Sequence, residues 1–594
     1  MNFKKTKIYK LYDLLNRGFG KYKSQIILLS VLGFLGGLLE GVGVNAVIPM
    51  FSFLFGNDAS TDLISRVIKE LFGFLNIRFG LRYLLVFVVV LFILRAIVLF
   101  FCNFIRVKIS AEYEEQTRRD LFSKMLEARW PFLLDQKLGH LDTILTTNIQ
   151  NSGLLLQYLG NLIMVFSGLI MYAIVAINIS LTITLLTLAF GCLLLIFFKP
   201  LLSMTKSVAR EKEKLNKYSS HFINENILGL KTVKSLFAES RVMKEAQKNF
   251  RNLKELTIRS AIYGIFSDSL IQPIGMIFVC AIFAVAYKIP GFNFAALAAI
   301  LYLIQRMFTY VQQLQSSLNS MSWAAPYLEG VLKYEKEAEN NLEKNIDSNP
   351  FIFKDRLDFK NVGFSYSNNR QILKNVNFSI KKGEMIGIIG GSGVGKTTIV
   401  DLILRFFDTQ KGEILIDGVN IKEIGLANWR QNIGYVSQDV FIKNDTVYEN
   451  IRFYDETISD KDVEEAAKSA NIYDFIQSCP KKFLAIVGER GVLLSAGQRQ
   501  RIVIARILAR KPKILVFDEA TSALDNESEA QIQEVIETLK NKVTVLLIAH
   551  RLSTVMNCTN LLVLQDGEIK EQGSPKELLA DKNSYFYKVS NIRE

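Results

Sequence analysis

The strongest chemical signal in this 594-residue chain is Gly390-Gly391-Ser392-Gly393-Val394-Gly395-Lys396-Thr397-Thr398. It follows the apolar stretch Met385–Ile389 and precedes the apolar run Ile399–Phe407. That is G-x-x-x-x-G-K-[ST] in a strand–loop–helix setting. Glycines let the backbone curl so that successive N–H groups, and the helix N-terminus behind them, point at phosphates. Lys396 is expected to place its ammonium on the β/γ-phosphates of a nucleoside triphosphate, and Thr397 its hydroxyl on Mg²⁺.

Two further strand ends belong to the same chemistry. Ile514-Leu515-Val516-Phe517-Asp518-Glu519 reads as a buried parallel strand with acids at its carboxyl end, where ligands bind in open α/β sheets. Asp518 is expected to hold the Mg²⁺ shell, and Glu519 to act as general base toward the attacking water. Val543–Ala549 is a third strand ending in His550. A histidine there is either structural or a contact to the γ-phosphate that steadies the water with Glu519.

The chain that must position these residues is too long for one hydrophobic core. Half its residues are hydrophobic and its mean hydropathy is +0.21, with long apolar runs up to about residue 316 and short runs broken by charges beyond about 345. Six stretches approach the ~20 apolar residues that a bilayer crossing requires: about 26–54, 83–107, 153–177, 179–199, 262–287 and 293–316. The links at 108–152 and 200–261 are long, charged and of helical character, and the second is strongly basic. The positive-inside rule puts both links and both termini in the cytoplasm. The same rule accounts for the formal net charge of +14, and no nucleic-acid motif accompanies it. Around Ile8–Phe19 an amphipathic stretch predicts an elbow lying on the membrane surface. Residues 61–76 align Leu63, Ile64, Val67, Ile68, Leu71 and Phe72 on one face, as either an interfacial or a capping helix. Glu40, Arg95, Asp268, Gln272, Gln305 and Arg306 are polar groups within spans. They either line a substrate path, or snorkel and pair, as Glu40 with Arg95. The five cysteines are scattered without a C-x-x-C pair, and only three histidines are present, so zinc and disulfide frameworks are not indicated.

The expected organisation is an elbow at 1–22, a six-helix membrane domain at 23–320, a linker at 321–352 and an α/β P-loop NTPase domain at 353–594. At this point the chain resembles the ABC transporter superfamily over essentially its whole length, and its exporters in particular. Leu494-Ser495-Ala496-Gly497-Gln498 is similar to the ABC signature, with Ala496 where the family usually has Gly. The resemblance implies that Ser495, Ala496, Gly497 and Gln498 contact the γ-phosphate of ATP held on a partner's P-loop. It further implies that Tyr366 stacks on adenine, that Gln438 reaches Mg²⁺ and takes part in catalysis, and that Ser522-Ala523-Leu524-Asp525 forms the D-loop. Val487-Gly488-Glu489-Arg490-Gly491 resembles the exporter loop that touches coupling helices, whose tips are expected near Leu133–Gly139 and Glu225–Lys231.

A chain with one P-loop and one signature must pair, and intact Glu519 and His550 point to a homodimer. The resemblance implies an ATP-driven exporter or flippase half-transporter of the inner (plasma) membrane. Glu40 ahead of Pro49, with the external helix, resembles lipid-linked oligosaccharide flippases, so the expected cargo is amphipathic or lipid-linked and leaves the cell. A peptide or drug exporter is the rival reading, and an ATP-gated channel or regulator the rival of another class. No protease domain precedes the spans, an expectation against leader-cleaving peptide exporters. An importer is disfavoured, since importers usually encode these domains as separate chains.

Overall fold

The computed structural model describes residues 7–46, 70, 72–74, 76, 78, 80–286, 294–343, 349–366, 370–520, 524–549 and 551–592. The chain forms two compact units, Met1–Ala128 with Phe132–Leu342 and Arg129–Pro131 with Glu343–Glu594.

The first unit is helical. Its elements are α1 (Lys7–Phe19), α2 (Lys23–Asn45), α3 (Leu81–Leu126), α4 (Trp130–Leu134, of which Phe132 onward belong to this unit), α5 (Leu138–Thr143), α6 (Ile149–Ile179), α7 (Leu181–Leu228), α8 (Leu230–Ser235), α9 (Glu239–Ala286) and α10 (Phe294–Asn340). Among the described residues, five helical stretches are long and apolar enough to cross a membrane: Tyr12–Gly43, Leu81–Leu126, Gly139–Ile177, Leu181–Leu228 and Glu239–Val285. Helix α10 holds the sixth expected span; it carries Gln305, Arg306, Gln312 and Gln315, and packs on α6, α7 and α9. The 46 residues of α3 reach ~69 Å at ~1.5 Å per residue, more than twice the ~30 Å of hydrocarbon. The long links are therefore helical continuations of the spans.

Local chemistry sets these boundaries. Ser180 leaves helical geometry and caps α7, its hydroxyl accepting from the Ile183 amide, and Gly229 ends the same helix. Helices α2 and α6 approach closely because small residues face each other: a Cβ on Gly37 would lie 3.3 Å from the Gly168 Cα. Two details differ from expectation, and two expected segments are not described. The short helices at the turns are Trp130–Leu134 and Leu230–Ser235, a few residues from the expected tips. Helix α10 continues to Asn340, through residues read as linker, because Met321, Ala324, Leu328 and Val331 still bury one face. The far end of the first span (47–54) and most of the 61–76 segment lie outside the described residues.

The second unit contains β1 (Arg356–Phe364), β2 (Leu373–Lys381), β3 (Met385–Ile389), α11 (Lys396–Ile403), β4 (Lys411–Ile416), β5 (Val419–Asn420), α12 (Leu426–Gln431), β6 (Ile433–Val436), α13 (Val447–Arg452), α14 (Asp460–Ser469), α15 (Tyr473–Ser478), α16 (Ala496–Leu508), β7 (Ile514–Asp518), α17 (Asn526–Leu539), β8 (Thr544–Ile548), α18 (Leu552–Val555), β9 (Asn560–Gln565), β10 (Glu568–Gly573), α19 (Pro575–Ala580) and α20 (Tyr585–Ile592). One sheet has the order β10-β9-β3-β8-β7-β6, with β9, β3, β8, β7 and β6 parallel and β10 antiparallel at the edge. An antiparallel sheet, β2-β1-β4-β5, lies beside it in the fold. The parallel strands are buried on both faces, and side chains alternate by the period of two. Met385, Leu515, Phe517, Val545 and Leu547 enter one core. Ile386, Ile388, Ile514, Val516, Leu546 and Ile548 enter the other, which the antiparallel sheet and α11 complete.

Candidate functional site

Parallel β3, β8, β7 and β6 are neighbours, so their carboxyl ends share one edge. The loop after β3 begins the site. Gly393 (φ 76°) and Gly395 (φ 111°) are left-handed, and a Cβ on Gly395 would stand 2.7 Å from Leu373. Val394 packs into the second core and pins the loop, while Ser392 and Thr397 are exposed. Lys396 is buried, its ammonium donating to the carbonyls of Gly390 (3.1 Å) and Gly391 (2.9 Å). Burial holds its pKa below the usual lysine value, against the pull of Glu519 and Asp518. The Tyr366 hydroxyl donates to Asp401 (3.0 Å) and lies 3.1 Å from that of Thr398, leaving the ring half exposed.

Strand β7 delivers the acids. Asp518 is 3% exposed, and its Oδ1 has no hydrogen-bond partner among the described residues. Burial, then the charge of Glu519, push its pKa up to about 6, although Thr397 hydrogen-bonds it and Lys396 is near. A buried, unsatisfied carboxylate oxygen beside a hydroxyl suits a hard cation such as Mg²⁺. Glu519 turns out of the strand with a left-handed backbone (φ 51°), of the kind that costs about 1–3 kcal/mol and gathers at functional sites. Its amide donates to the Ile548 carbonyl (3.0 Å), and its Oε2 accepts from Gln438 Nε2 at 3.2 Å. Sequence-predicted Gln438, Glu519, Asp518, Thr397 and Lys396 are thus together. His550, Ser522 and Ala523 lie outside the described residues.

Ser495 caps α16 in a reciprocal box: its hydroxyl accepts from the Gln498 amide (3.2 Å), and Gln498 Oε1 accepts from the Ser495 amide (2.9 Å). Ser495 is exposed and Gly497 buried. A Cβ at 497 would stand 2.3 Å from Ser528 Oγ, so glycine is required there. Ala496 sits at the first helical position, half-buried, and packs against the first core. Asp525 caps α17, accepting from the Ser528 amide at 3.1 Å.

Several contributors were not singled out from the sequence. Tyr435 hydrogen-bonds Asp518, and burial raises its pKa. Arg551 pairs with Glu529 and donates to the Leu524 carbonyl (3.2 Å), and Ser553 donates to Glu529 (3.0 Å), tying the segment after β8 to the start of α17. Arg506 is buried, donating to the Asn450 (2.7 Å) and Phe441 (2.9 Å) carbonyls. These pairs join residues 22 to 83 positions apart, and no local pattern announces them. In the membrane unit Glu40 does pair with Arg95, and also with Arg306. Gln272 and Gln305 are exposed, and the Asp268 Oδ1 atom is buried without a partner among the described residues.

Residues 373–522 match the ABC transporter family, and residues 26–313 the ABC transporter transmembrane region. Proteins of Staphylococcus aureus strains COL and MRSA252, provisionally named multidrug export ATP-binding/permease proteins, are 36% identical over 394 residues, 65% of this chain and 68% of theirs. The fold is similar to that of a bacterial Atm1-family ABC exporter solved with ATP bound, with a TM-score of 0.80, 23% identity and 98% of each chain covered.

Proposed function

The chain belongs to the ABC transporters, with membrane and ATP-binding regions fused in one polypeptide, and from that premise we propose how its residues drive export. It is a multi-pass membrane protein and an ATP-driven exporter half-transporter. The observation that carries the reading is the shared sheet edge, where Lys396, Asp518, Glu519 and Gln438 meet.

The ATP phosphates lie on the backbone amides of Gly390–Thr398. Lys396 exchanges its two loop carbonyls for phosphate oxygens, and Tyr366 stacks on the adenine. Thr397, Asp518 and Gln438 would hold Mg²⁺, which would supply neutralisation of charge on the ATP phosphates. Glu519 accepts the proton of the attacking water, Gln438 holds its carboxylate in place, and His550 steadies the water. Ser495, Ala496, Gly497, Gln498 and Asp525 act on the ATP of a second copy, so the working unit is a homodimer. ATP favours the closed pair over the open one, and that difference in affinity is what moves the membrane helices. Both termini and the ATP-binding region are cytoplasmic.

The cargo is amphipathic, of lipid or lipid-linked type, and moves outward. The names of the Staphylococcus relatives favour a second reading, drug export. Replacing Glu519 with Gln tests the pump: ATP binding is retained, and hydrolysis and transport fall together by about 10²–10⁴-fold. Transport that persists in that variant would favour a gated channel and sink the pump.

A further inference from the structure

Four helices of the membrane unit converge on one carboxylate. Glu40 of α2 is 2% exposed. Its Oε1 accepts from the Tyr172 hydroxyl of α6 (2.9 Å) and from Arg306 of α10. Its Oε2 accepts from the Tyr310 hydroxyl of α10 (2.7 Å) and from Arg95 of α3 (2.7 Å). Four donors fill the acceptor sites of a carboxylate. The backbone makes room for this arrangement: a Cβ on Gly168 would stand 2.5 Å from the Tyr310 ring. Arg306 also lies over both tyrosine rings, 5.9 Å from the Tyr172 centroid and 5.7 Å from that of Tyr310.

The charge does not close. Arginine stays protonated in proteins, so two cations meet one anion. Among the described residues Glu40 is the only carboxylate paired with either arginine. An unmatched charge inside a span costs about 2.5–3.5 kcal/mol on insertion scales, and a clamp between helices needs only one arginine. Exposure is divided to match: the Glu40 side chain is 3% exposed, against 35% for Arg306 and 22% for Arg95. Arg306 commits Nε to Tyr172 and Nη2 to Glu40, and its Nη1 bonds no protein atom among the described residues. The carboxylate is sequestered, while both guanidinium side chains keep part of their surface accessible.

We infer that Arg306, backed by Arg95 and oriented by Glu40, Tyr172 and Tyr310, is the recognition site for a phosphate-bearing head group on the transported molecule. The guanidinium plane supplies the fork that fits a phosphate, and the head group supplies the missing negative charge. This rests on the amphipathic-cargo reading above.

The test uses the full-length protein in nanodiscs, with ATPase stimulation measured for polyprenyl phosphate, the uncharged polyprenol and water-soluble glycerol phosphate. Polyprenyl phosphate is expected to stimulate; Arg306→Gln should weaken its half-maximal concentration at least tenfold, and Arg306→Lys, which keeps the charge, should lose less. Arg306→Gln leaves Glu40 balanced by Arg95, and a retained melting transition and elution volume show that it folds. If Arg306→Gln does not fold, the comparison of wild type across the three compounds decides. Equal stimulation by polyprenol overturns the phosphate site while leaving amphipathic cargo standing. Equal stimulation by glycerol phosphate keeps the phosphate site and overturns amphipathic cargo. Stimulation by none of the three overturns both.

Discussion

At the scale of single residues, Asp518 is destabilised where it stands. Its pKa of about 6 lies above the usual aspartate value near 4, so between those values the folded chain keeps a proton that the unfolded chain has lost. Stability contributed by this group falls as pH rises through that window, by about 3 kcal/mol in total, and stays lost above it. Asp518→Asn should therefore raise the melting temperature at pH 7.5 without nucleotide or Mg²⁺, show little difference at pH 4, and abolish ATP turnover. A variant less stable than wild type at pH 7.5 would contradict this. The signature makes a paired prediction. Gly497→Ala drives a methyl into Ser528 and should cost about 1–3 kcal/mol, whereas Ala496→Gly should cost under about 1 kcal/mol with ATPase little changed, both read from denaturant midpoints. The Ala496 methyl packs against the first core of the ATP-binding unit. Individual motif residues were legible because each motif is local: spacing places Lys396 and Thr397, and resemblance to a family motif places Ser495.

At the scale of elements, α16 is held at both ends by different means. Its N-terminus is closed by the Ser495–Gln498 box. Near its C-terminus Arg506 binds carbonyls from the segment after β6 and from α13 and stacks on Phe453 at 4.2 Å. Burial lowers the Arg506 pKa to about 10, still charged at neutral pH. Arg506→Met leaves buried carbonyls without donors and should cost about 2–4 kcal/mol, with new protease cleavage within residues 441–453. Unchanged proteolysis would remove Arg506 as the tie. Such ties escape sequence reading because Arg506 and Asn450 are 56 residues apart. The same limit applies to Glu40, whose pairing with Arg95 is suggested by neighbouring spans while Arg306, 266 positions away, is not. The extent of α10 escapes the sequence for another reason. Charge rises after residue 316, yet one apolar face persists to Val331 and beyond, so a change of composition is not a helix end.

At the scale of the whole molecule, many apolar side chains of the membrane unit face outward. Val86, Val89, Ile93, Ile97, Phe100 and Phe104 of α3 are exposed, as expected of a surface in contact with lipid or a second copy. On the proposed reading, the P-loop edge and the capping end of α16 in one chain serve two different ATP molecules. The central claim, that two copies combine them, is tested by co-expressing two tagged variants, Lys396→Ala and Ser495→Arg, and measuring the ATPase activity of the mixed pool. Alone, each should be inactive. In random two-fold pairs, half the dimers carry one intact composite site, so the pool should recover roughly a quarter of wild-type activity. A mixture no more active than either variant alone would contradict the account.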